Sequence, residues 1–170
     1  MARPLRAREL LATLAKHRIR YVLIGGMAAV LHGSALVTAD IDICPDPARD
    51  NLERLCNALR DMHARIRTTD DPEGVAFECD SALLVQMRML NMVTDFGSFD
   101  LSFHPAAFDG YDDLVRSAVT MSIGGAAVPV ASLDDVIRSK ETANRPKDQA
   151  ALPQLYALRD EIAAQERERD

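Results

Sequence analysis

The sequence predicts an α+β fold, in which helices pack on a small mixed β-sheet and a helical segment follows at the C-terminal end. Three observations indicate this fold. The chain has 170 residues, of which 48% are apolar, so it can bury a substantial core. Its apolar residues recur at strand spacing in some segments and at helix spacing in others. Its strand-to-helix glycine turn reads GG and not G-x-G-x-x-G, which argues against a doubly wound dinucleotide-binding fold.

We expect one domain over residues 1–170, with a core at about 20–131 and C-terminal helices at about 132–165. The formal net charge of −6 argues against indiscriminate nucleic-acid binding, which depends on excess positive charge. Three widely spaced cysteines do not make a disulfide framework. No apolar run reaches the roughly 18 residues that a membrane helix needs. These features predict a cytoplasmic protein without a membrane partner.

The first half of the chain is predicted to contain two strands, with a glycine turn and a helix between them. The apolar run that ends the first strand stops at Gly25 and Gly26, and Pro45 ends the second strand. In order, we expect a helix at 5–17, a strand at 20–24, a helix at 27–32, a strand at 39–43 and an amphipathic helix at 47–64.

The middle of the chain is predicted to form a β-hairpin. The polar segment 65–80 predicts no element, and the alternation in residues 84–93 favours a strand. DFGS at 95–98 is typical of a tight turn, since its glycine tolerates a positive φ. Residues 98–103 (SFDLSF) alternate strictly, so the apolar side chains face one way and the polar ones the other. We therefore expect a hairpin between about 86–94 and 98–103.

The last third of the chain is predicted to contain a second hairpin and three helices. Ser132 is a suitable N-cap, and Pro146 is suited to the first turn of a helix. We expect a helix at 111–118, strands at 119–123 and 126–130 around Gly124-Gly125, and helices at 133–143 and 146–165. The charged tail QERERD is expected to fray.

Asp40 and Asp42 are the first candidates for chemistry. They lie two residues apart on a predicted strand, so both carboxylates project from one face, about 7 Å apart, while Ile41 and Ile43 face the core. Two like charges on one face repel each other unless a cation lies between them. A ligand set of oxygens alone suits Mg²⁺ or Mn²⁺. The alternative is a solvated strand face with two ordinary acids.

Asp100 is the only acid on the polar face of the alternating strand 98–103. If that strand lies beside residues 39–43, three carboxylates converge. Three acids can hold two divalent cations, which stabilise the attacking and leaving oxygens of a phosphoryl or nucleotidyl transfer. The alternative is an exposed strand acid without a ligand.

Gly25 and Gly26 are candidates for binding an anion. Backbone without side chains at the start of a helix lets amide groups approach a phosphate closely, and the helix dipole favours negative charge there. A GG pair alone is more often a simple turn. A strand, a GG turn and a helix about 14 residues before an acid-x-acid strand form a rarer combination.

These segments resemble the nucleotidyltransferase superfamily related to DNA polymerase beta. VLIGGMAAVLHGSALVTADIDI (22–43) is similar to its strand, G-[GS] turn, helix and D-x-[DE] strand, and FDLSF (99–103) is similar to the strand that carries its third acid. SLDDVIRSKETANRPKDQAALPQL (132–155) resembles the C-terminal stretch of the AbiEii-like minimal toxin nucleotidyltransferases. In that stretch a lysine precedes an Arg-x-Lys-Asp string, matched here by Lys140, Arg145, Lys147 and Asp148.

The resemblance implies roles for the candidate residues. Asp40 and Asp42 would bind two Mg²⁺ ions, while Asp100 would bind one of them and help deprotonate the acceptor hydroxyl. Gly25 and Gly26 would hold the β- and γ-phosphates. Lys140 or Lys147 would neutralise the charge of the phosphates. Alternatively, Lys140 and Arg145 are helix C-terminal cations, or Arg145, Lys147 and Asp148 form surface ion pairs.

Two departures from the family pattern concern nucleotide binding. Many members have a serine where this chain has Gly26, and its hydroxyl could bond a phosphate. Related sequences often have an arginine shortly before the first acid, where this chain has Leu36 and Val37, followed by Thr38. Thr38 shares a strand face with Asp40 and could orient a ligand, or it is an ordinary β-branched strand residue.

The resemblance implies a metal-dependent nucleotidyltransferase that moves a nucleoside monophosphate from an NTP such as ATP to a hydroxyl. The acceptor would be tRNA or another RNA, a protein side chain or a small molecule, and the family likeness allows a toxin paired with an antitoxin. Two alternatives stay open: a non-catalytic binding or regulatory protein with the same fold, and a metal-dependent glycosyltransferase with a D-x-D site.

Overall fold

A computed structural model describes residues 3–170, so residues 1 and 2 of the expected 1–170 domain lie outside the described part. Its helices are α1 (Ala7–Lys16), α2 (Gly25–Leu31), α3 (Arg49–Asp61), α4 (Ser81–Gln86), α5 (Tyr111–Val115), α6 (Leu133–Ala143) and α7 (Pro146–Arg169). Its strands are β1 (Tyr21–Ile24), β2 (Asp40–Pro45), β3 (Arg65–Ile66), β4 (Met89–Thr94), β5 (Gly97–Ser102), β6 (Val119–Ile123) and β7 (Ala126–Val130). Within the described residues, no helix has the length and apolar character needed to cross a membrane.

The strands form one mixed sheet in the order β3-β4-β5-β2-β1-β7-β6. Strand β2 pairs with β5 and β1 with β7 in parallel, while the other neighbours are antiparallel. Both predicted hairpins are present, as β4–β5 and β6–β7. The α+β prediction with a mixed sheet and C-terminal helices is confirmed.

The two faces of the central strands differ in the way that their alternation predicts. Ile41, Ile43, Phe99 and Leu101 are fully buried, and they belong to the same core as the leucines of α1 and α3. The polar residues of β2 and β5 lie on the opposite face, half-buried. Burial of the apolar face fixes the register, because a slip of one residue would turn these apolar side chains to the other face.

Helices α6 and α7 contact each other, and side-chain hydrogen bonds cap the N-terminal end of each helix. The Ser132 hydroxyl accepts a hydrogen bond from the Asp135 N–H, and Asn144, in the left-handed conformation, ends α6. The fully buried Asp148 carboxylate accepts bonds from the Arg145 backbone N–H (3.2 Å) and Nε (2.7 Å). Although burial alone would raise it, these bonds hold the pKa of Asp148 below its usual range.

Two predictions for residues 65–93 differ from the structure. The strand expected at 84–93 begins only at Met89, because residues 84–86 belong to helix α4. The Asp80 carboxylate caps this helix by accepting a hydrogen bond from the Leu83 N–H at 2.7 Å. The segment 65–80 contains the two-residue strand β3, which is too short to show a period.

The tail is helical to Arg169, where fraying was expected, because Glu and Arg favour helices and arginines in the last turn suit the helix dipole. Other bounds shift by a few residues. The helices predicted at 27–32, 47–64 and 111–118 lie at 25–31, 49–61 and 111–115.

Candidate active site

Asp40, Asp42 and Asp100 come together on the polar face of β2 and β5. The parallel register places Asp42 directly opposite Asp100, and Asp40 lies two residues along β2 on the same face. Each offers one carboxylate oxygen, and these oxygens lie within 4.8 Å of one another. We call these three residues the acid trio.

The surroundings of the trio raise the pKa of two of its carboxyl groups. Burial raises the pKa of Asp42 to about 7, and the charges of Asp40 and Asp100 add to the rise, while Lys147 and Lys140 oppose it. Burial also raises the pKa of Asp100. Three half-buried carboxylates at this spacing fit a divalent cation, since oxygen donors and a local excess of negative charge are what Mg²⁺ requires.

Gly25 lies against the trio. It follows β1 directly and starts α2 with a φ of 68°. A Cβ atom at this position would lie 2.6 Å from Oδ2 of Asp42, closer than any side chain tolerates. Only glycine therefore combines this backbone conformation with contact to the carboxylate. Phosphate binding by the Gly25 and Gly26 backbone stays a prediction.

Gly26 lies against Thr38 in a similar way. A Cβ on Gly26 would lie 2.9 Å from the Thr38 Oγ1 atom and 3.1 Å from its Cβ. The Thr38 hydroxyl donates to an Asp40 carboxylate oxygen at 3.1 Å. The Thr38 hydroxyl thus lies next to Gly26 and beside the trio, close to the position where many family members have a serine.

Gly26→Ser is expected to destabilise the protein by about 1 to 3 kcal/mol, because the new side chain overlaps Thr38. Gly26→Ser combined with Thr38→Ala should recover part of this loss, since the nearest atom, the Thr38 Oγ1 at 2.9 Å, is removed while the Cβ at 3.1 Å stays. Urea unfolding of both variants and of Thr38→Ala alone measures the effect. Equal stability of the single and double variants would contradict the contact.

Lys140 and Lys147 lie on the helical side of the trio. Lys140 is half-buried near the end of α6, and its Nζ is 3.5 Å from the Asp148 carboxylate. Lys147 is exposed in the first turn of α7. This contact with Asp148 balances part of the positive charge of Lys140. Both lysines line the same cleft as the trio, as does Arg145.

Arg67 is a cleft residue that the sequence did not indicate. It follows β3, and its backbone N–H donates to the Asn91 carbonyl of β4 at 2.9 Å. Its Nη2 lies 3.2 and 3.3 Å from the two oxygens of Asp100. The segment around it has no periodic pattern, so only the pairing of β3 with β4 places this cation beside the trio.

The trio, the glycines, the two lysines and Arg67 all line one cleft with a volume of about 770 Å³. This volume is within the range of small-molecule sites. The seven residues predicted to bind metal or nucleotide thus line a single cleft. Their roles in metal and nucleotide binding stay predictions.

Several solved structures are similar to this chain. LnuA, a lincosamide antibiotic adenylyltransferase solved with lincomycin, matches with a TM-score of 0.61 and 12% identity over 92% of this chain and 99% of LnuA. TM1012 of Thermotoga maritima, a candidate nucleotidyltransferase, matches with a TM-score of 0.54 and 14% identity over 88% of this chain and 89% of its own. At these identities the matches show the shared fold. The antibiotic-resistance factor ANT(2'')-Ia is 15% identical over 95% of this chain and 93% of its own, with a TM-score of 0.48.

No curated protein sequence matches the chain significantly. The narrower likeness to AbiEii-like toxins stays a prediction. The family model of the aminoglycoside-2''-adenylyltransferases matches residues 7–163, which is most of the chain. The chain therefore belongs to the aminoglycoside-2''-adenylyltransferase family and is a nucleotidyltransferase.

Proposed function

We propose that this enzyme transfers a nucleoside monophosphate from an NTP, in the first instance AMP from ATP, to a hydroxyl of a small-molecule acceptor. The single observation that carries the proposal is the convergence of three carboxylate oxygens within 4.8 Å beside the bare Gly25 backbone. Transfer of a nucleotidyl group needs such a negative centre to hold divalent cations beside the phosphates.

The trio would hold Mg²⁺, two ions in all, with Mn²⁺ as a substitute. Bound Mg²⁺ supplies charge neutralisation at the phosphates and acidifies the acceptor hydroxyl. The buried, negatively charged surroundings of Asp42 support this assignment, because its carboxylate ionises readily only when positive charge is added nearby. The Asp40 carboxylate is held by the Thr38 hydroxyl, which keeps one ligand oriented.

The other cleft residues position the two substrates. The Gly25 and Gly26 backbone leaves room for phosphate oxygens next to the trio, and Lys140 and Lys147 balance their negative charge. The Asp100 carboxylate accepts the proton of the attacking hydroxyl. Catalysis then consists of in-line positioning and charge stabilisation.

The family name and the lincomycin-bound LnuA support an antibiotic-like small molecule as the acceptor. The RNA, protein and antitoxin partners that the narrower resemblance implied gain no support from these comparisons. Membership of an adenylyltransferase family also favours catalysis over the non-catalytic and glycosyltransferase alternatives.

Mg²⁺ together with a non-hydrolysable ATP analogue is expected to raise the Tm of the protein. At a concentration of 100 times Kd, binding adds about 2.7 kcal/mol, which is about 5 to 10 °C for a chain of this length. Asp40→Asn should abolish the gain, and Asp134→Asn, at a surface acid whose side chain is 78% exposed, should keep it. Differential scanning fluorimetry with and without EDTA measures the shift; no gain in the parent protein contradicts the proposal.

The acceptor is identified by label transfer. The protein is incubated with α-labelled ATP, Mg²⁺ and, separately, an aminoglycoside, lincomycin or total cellular RNA. Label on a small molecule supports the proposal, and label only on RNA or on protein would replace it with the RNA or protein alternative.

A further inference from the structure

The two outermost strands of the sheet are protected to different degrees. Strand β3 has only two residues, and its outer side is occupied, since Ile66 exchanges backbone hydrogen bonds with Val75 at 2.9 and 2.8 Å. Strand β6 has five residues, VTMSI, without a charge or a proline. Among residues 3–170 it pairs with β7 alone, and no hydrogen bond reaches its outer side. Natural proteins usually protect an edge strand of this length with charges, prolines or a cover, so β6 has the character of a strand that pairs with another chain.

The turn between β6 and β7 fixes which backbone groups of β6 face outward. Gly124 and Gly125 have φ angles of 58° and 87°, the type I′ pattern of a two-residue hairpin. In such a hairpin Ile123, directly before the turn, is hydrogen-bonded to the opposite strand, and this pattern alternates along the ladder. The N–H and C=O groups of Thr120 and Ser122 therefore point away from β7, into solvent.

The side chains of β6 form an apolar face and a polar face at this edge. Val119 is 45% exposed, and Met121 and Ile123 are partly buried against the core. Thr120 and Ser122 are exposed on the opposite face of the sheet. An added strand would cover the apolar row and supply partners for the outward backbone groups.

The strand matches its own reverse about Met121. If two copies pair antiparallel with Met121 opposite Met121, then Val119 lies opposite Ile123 of the second copy, and Thr120 lies opposite Ser122. Apolar side chains then meet apolar ones on one face, and hydroxyls meet hydroxyls on the other, which are favourable cross-strand pairs. The outward backbone groups of Thr120 and Ser122 all find partners, because these residues form the hydrogen-bonded pairs of the new ladder.

A second copy of this chain is the occupant that fits this edge. A two-fold contact requires one patch to be complementary to itself, and the pattern of VTMSI meets that requirement. A partner of another sequence would not need a strand that matches its own reverse. The strand also has no charge that would repel its copy across the two-fold axis.

We propose that β6 pairs antiparallel with β6 of a second copy, about a two-fold axis at Met121, and joins two seven-stranded sheets into one. This dimer is independent of the proposed function, since the pairing uses no residue of the acid trio or of the glycine turn.

Sedimentation equilibrium of the intact protein measures the oligomeric state. The parent protein should be a dimer at about 100 μM. Thr120→Pro should weaken the dimer at least about tenfold, because proline removes an outward N–H and leaves the bonds to β7 in place. Thr120→Val, which keeps the N–H, should stay dimeric. A monomeric parent overturns the proposal, as does an equally tight dimer in Thr120→Pro or an open, larger assembly.

Disulfide cross-linking tests the register without relying on the proline variant. Met121→Cys places each thiol opposite its own copy in a non-hydrogen-bonded pair, where the Cα atoms are about 4.5 Å apart, a separation that a disulfide can span. Val119→Cys is the matched control, since residue 119 lies opposite Ile123 of the second copy. The three native cysteines are buried in both variants.

Both cysteine variants are treated with diamide, which oxidises two thiols to a disulfide, and are analysed by non-reducing electrophoresis. Met121→Cys should form the covalent dimer at least about tenfold faster than Val119→Cys. Equal rates in the two variants, or faster cross-linking of Val119→Cys, overturn the two-fold axis at Met121.

Discussion

Asp42→Asn is expected to abolish nucleotidyl transfer and, at the same time, to make the metal-free protein more stable at neutral pH. Activity should fall by at least about a thousandfold, because the amide brings no negative charge to the centre that holds the cations. Stability should rise because the like charges of Asp40 and Asp100 then face a neutral group. A loss of function with a gain in stability is a result that ordinary damage to the fold does not produce.

The pH dependence of the metal-free protein gives the sign of the stability effect. Burial, reinforced by Asp40 and Asp100, raises the pKa of Asp42 to about 7 in the folded state, against 3.8 in the absence of these effects. Between these values the unfolded chain releases a proton that the folded chain retains. The stabilising contribution is therefore complete below about pH 4 and is lost as the pH rises to about 7, at about 1.4 kcal/mol per pH unit and about 4 kcal/mol in all.

Urea unfolding of the metal-free protein at pH 5.5 and pH 8 measures this effect on the free energy of unfolding (both values are about one to one and a half units from the raised pKa). The parent protein should lose stability toward pH 8, and Asp42→Asn should reduce that loss. Asp134→Asn, at the exposed acid in the first turn of α6, is the matched control and should behave like the parent. Addition of Mg²⁺ should restore the parent at pH 8. An unchanged pH profile in Asp42→Asn contradicts the raised pKa.

Gly25→Ala is the second substitution with a large expected effect. The added Cβ would lie 2.6 Å from Oδ2 of Asp42, so the carboxylate must shift from its present position beside Asp40 and Asp100. The positive φ of 68° adds a conformational cost of roughly 1 to 2 kcal/mol for a residue with a side chain. We expect at least about a hundredfold loss of transfer, because small displacements of a catalytic group have costs of this size.

Gly125→Ala separates these two effects. Gly125 also has a positive φ, 87°, but nothing lies within 4 Å of a Cβ at that position. In urea unfolding, Gly125→Ala should therefore lose stability from backbone strain alone, and Gly25→Ala should lose at least as much, because the overlap with Asp42 adds to the strain. Only Gly25→Ala should lose transfer and the thermal gain from Mg²⁺ and nucleotide. Equal activity of the two variants would show that Gly25 has no role beyond the turn.

Local sequence patterns predicted much of the fold. The hairpin strands β6 and β7 and the helix α6 have the expected bounds, because alternation, the glycine pair and the Ser132 cap are all local signals. The strand predicted at 84–93 was wrong over its first residues, since the short helix α4 depends on one cap and on burial of Leu84. An apolar run of that length has no period that separates strand from helix.

The sequence by itself determined which side chains share a face: Asp40 and Asp42 on one strand, and Asp100 on the polar side of another. Alternation in a strand is a local property, so it can be read without a structure. Only the tertiary structure decided that β2 and β5 lie side by side. It also decided that the Asp42 carboxylate lies against Gly25, and that Arg67 donates a hydrogen bond to Asp100. Pairing between strands far apart in the chain is chosen by packing of the whole core, and no local pattern records it.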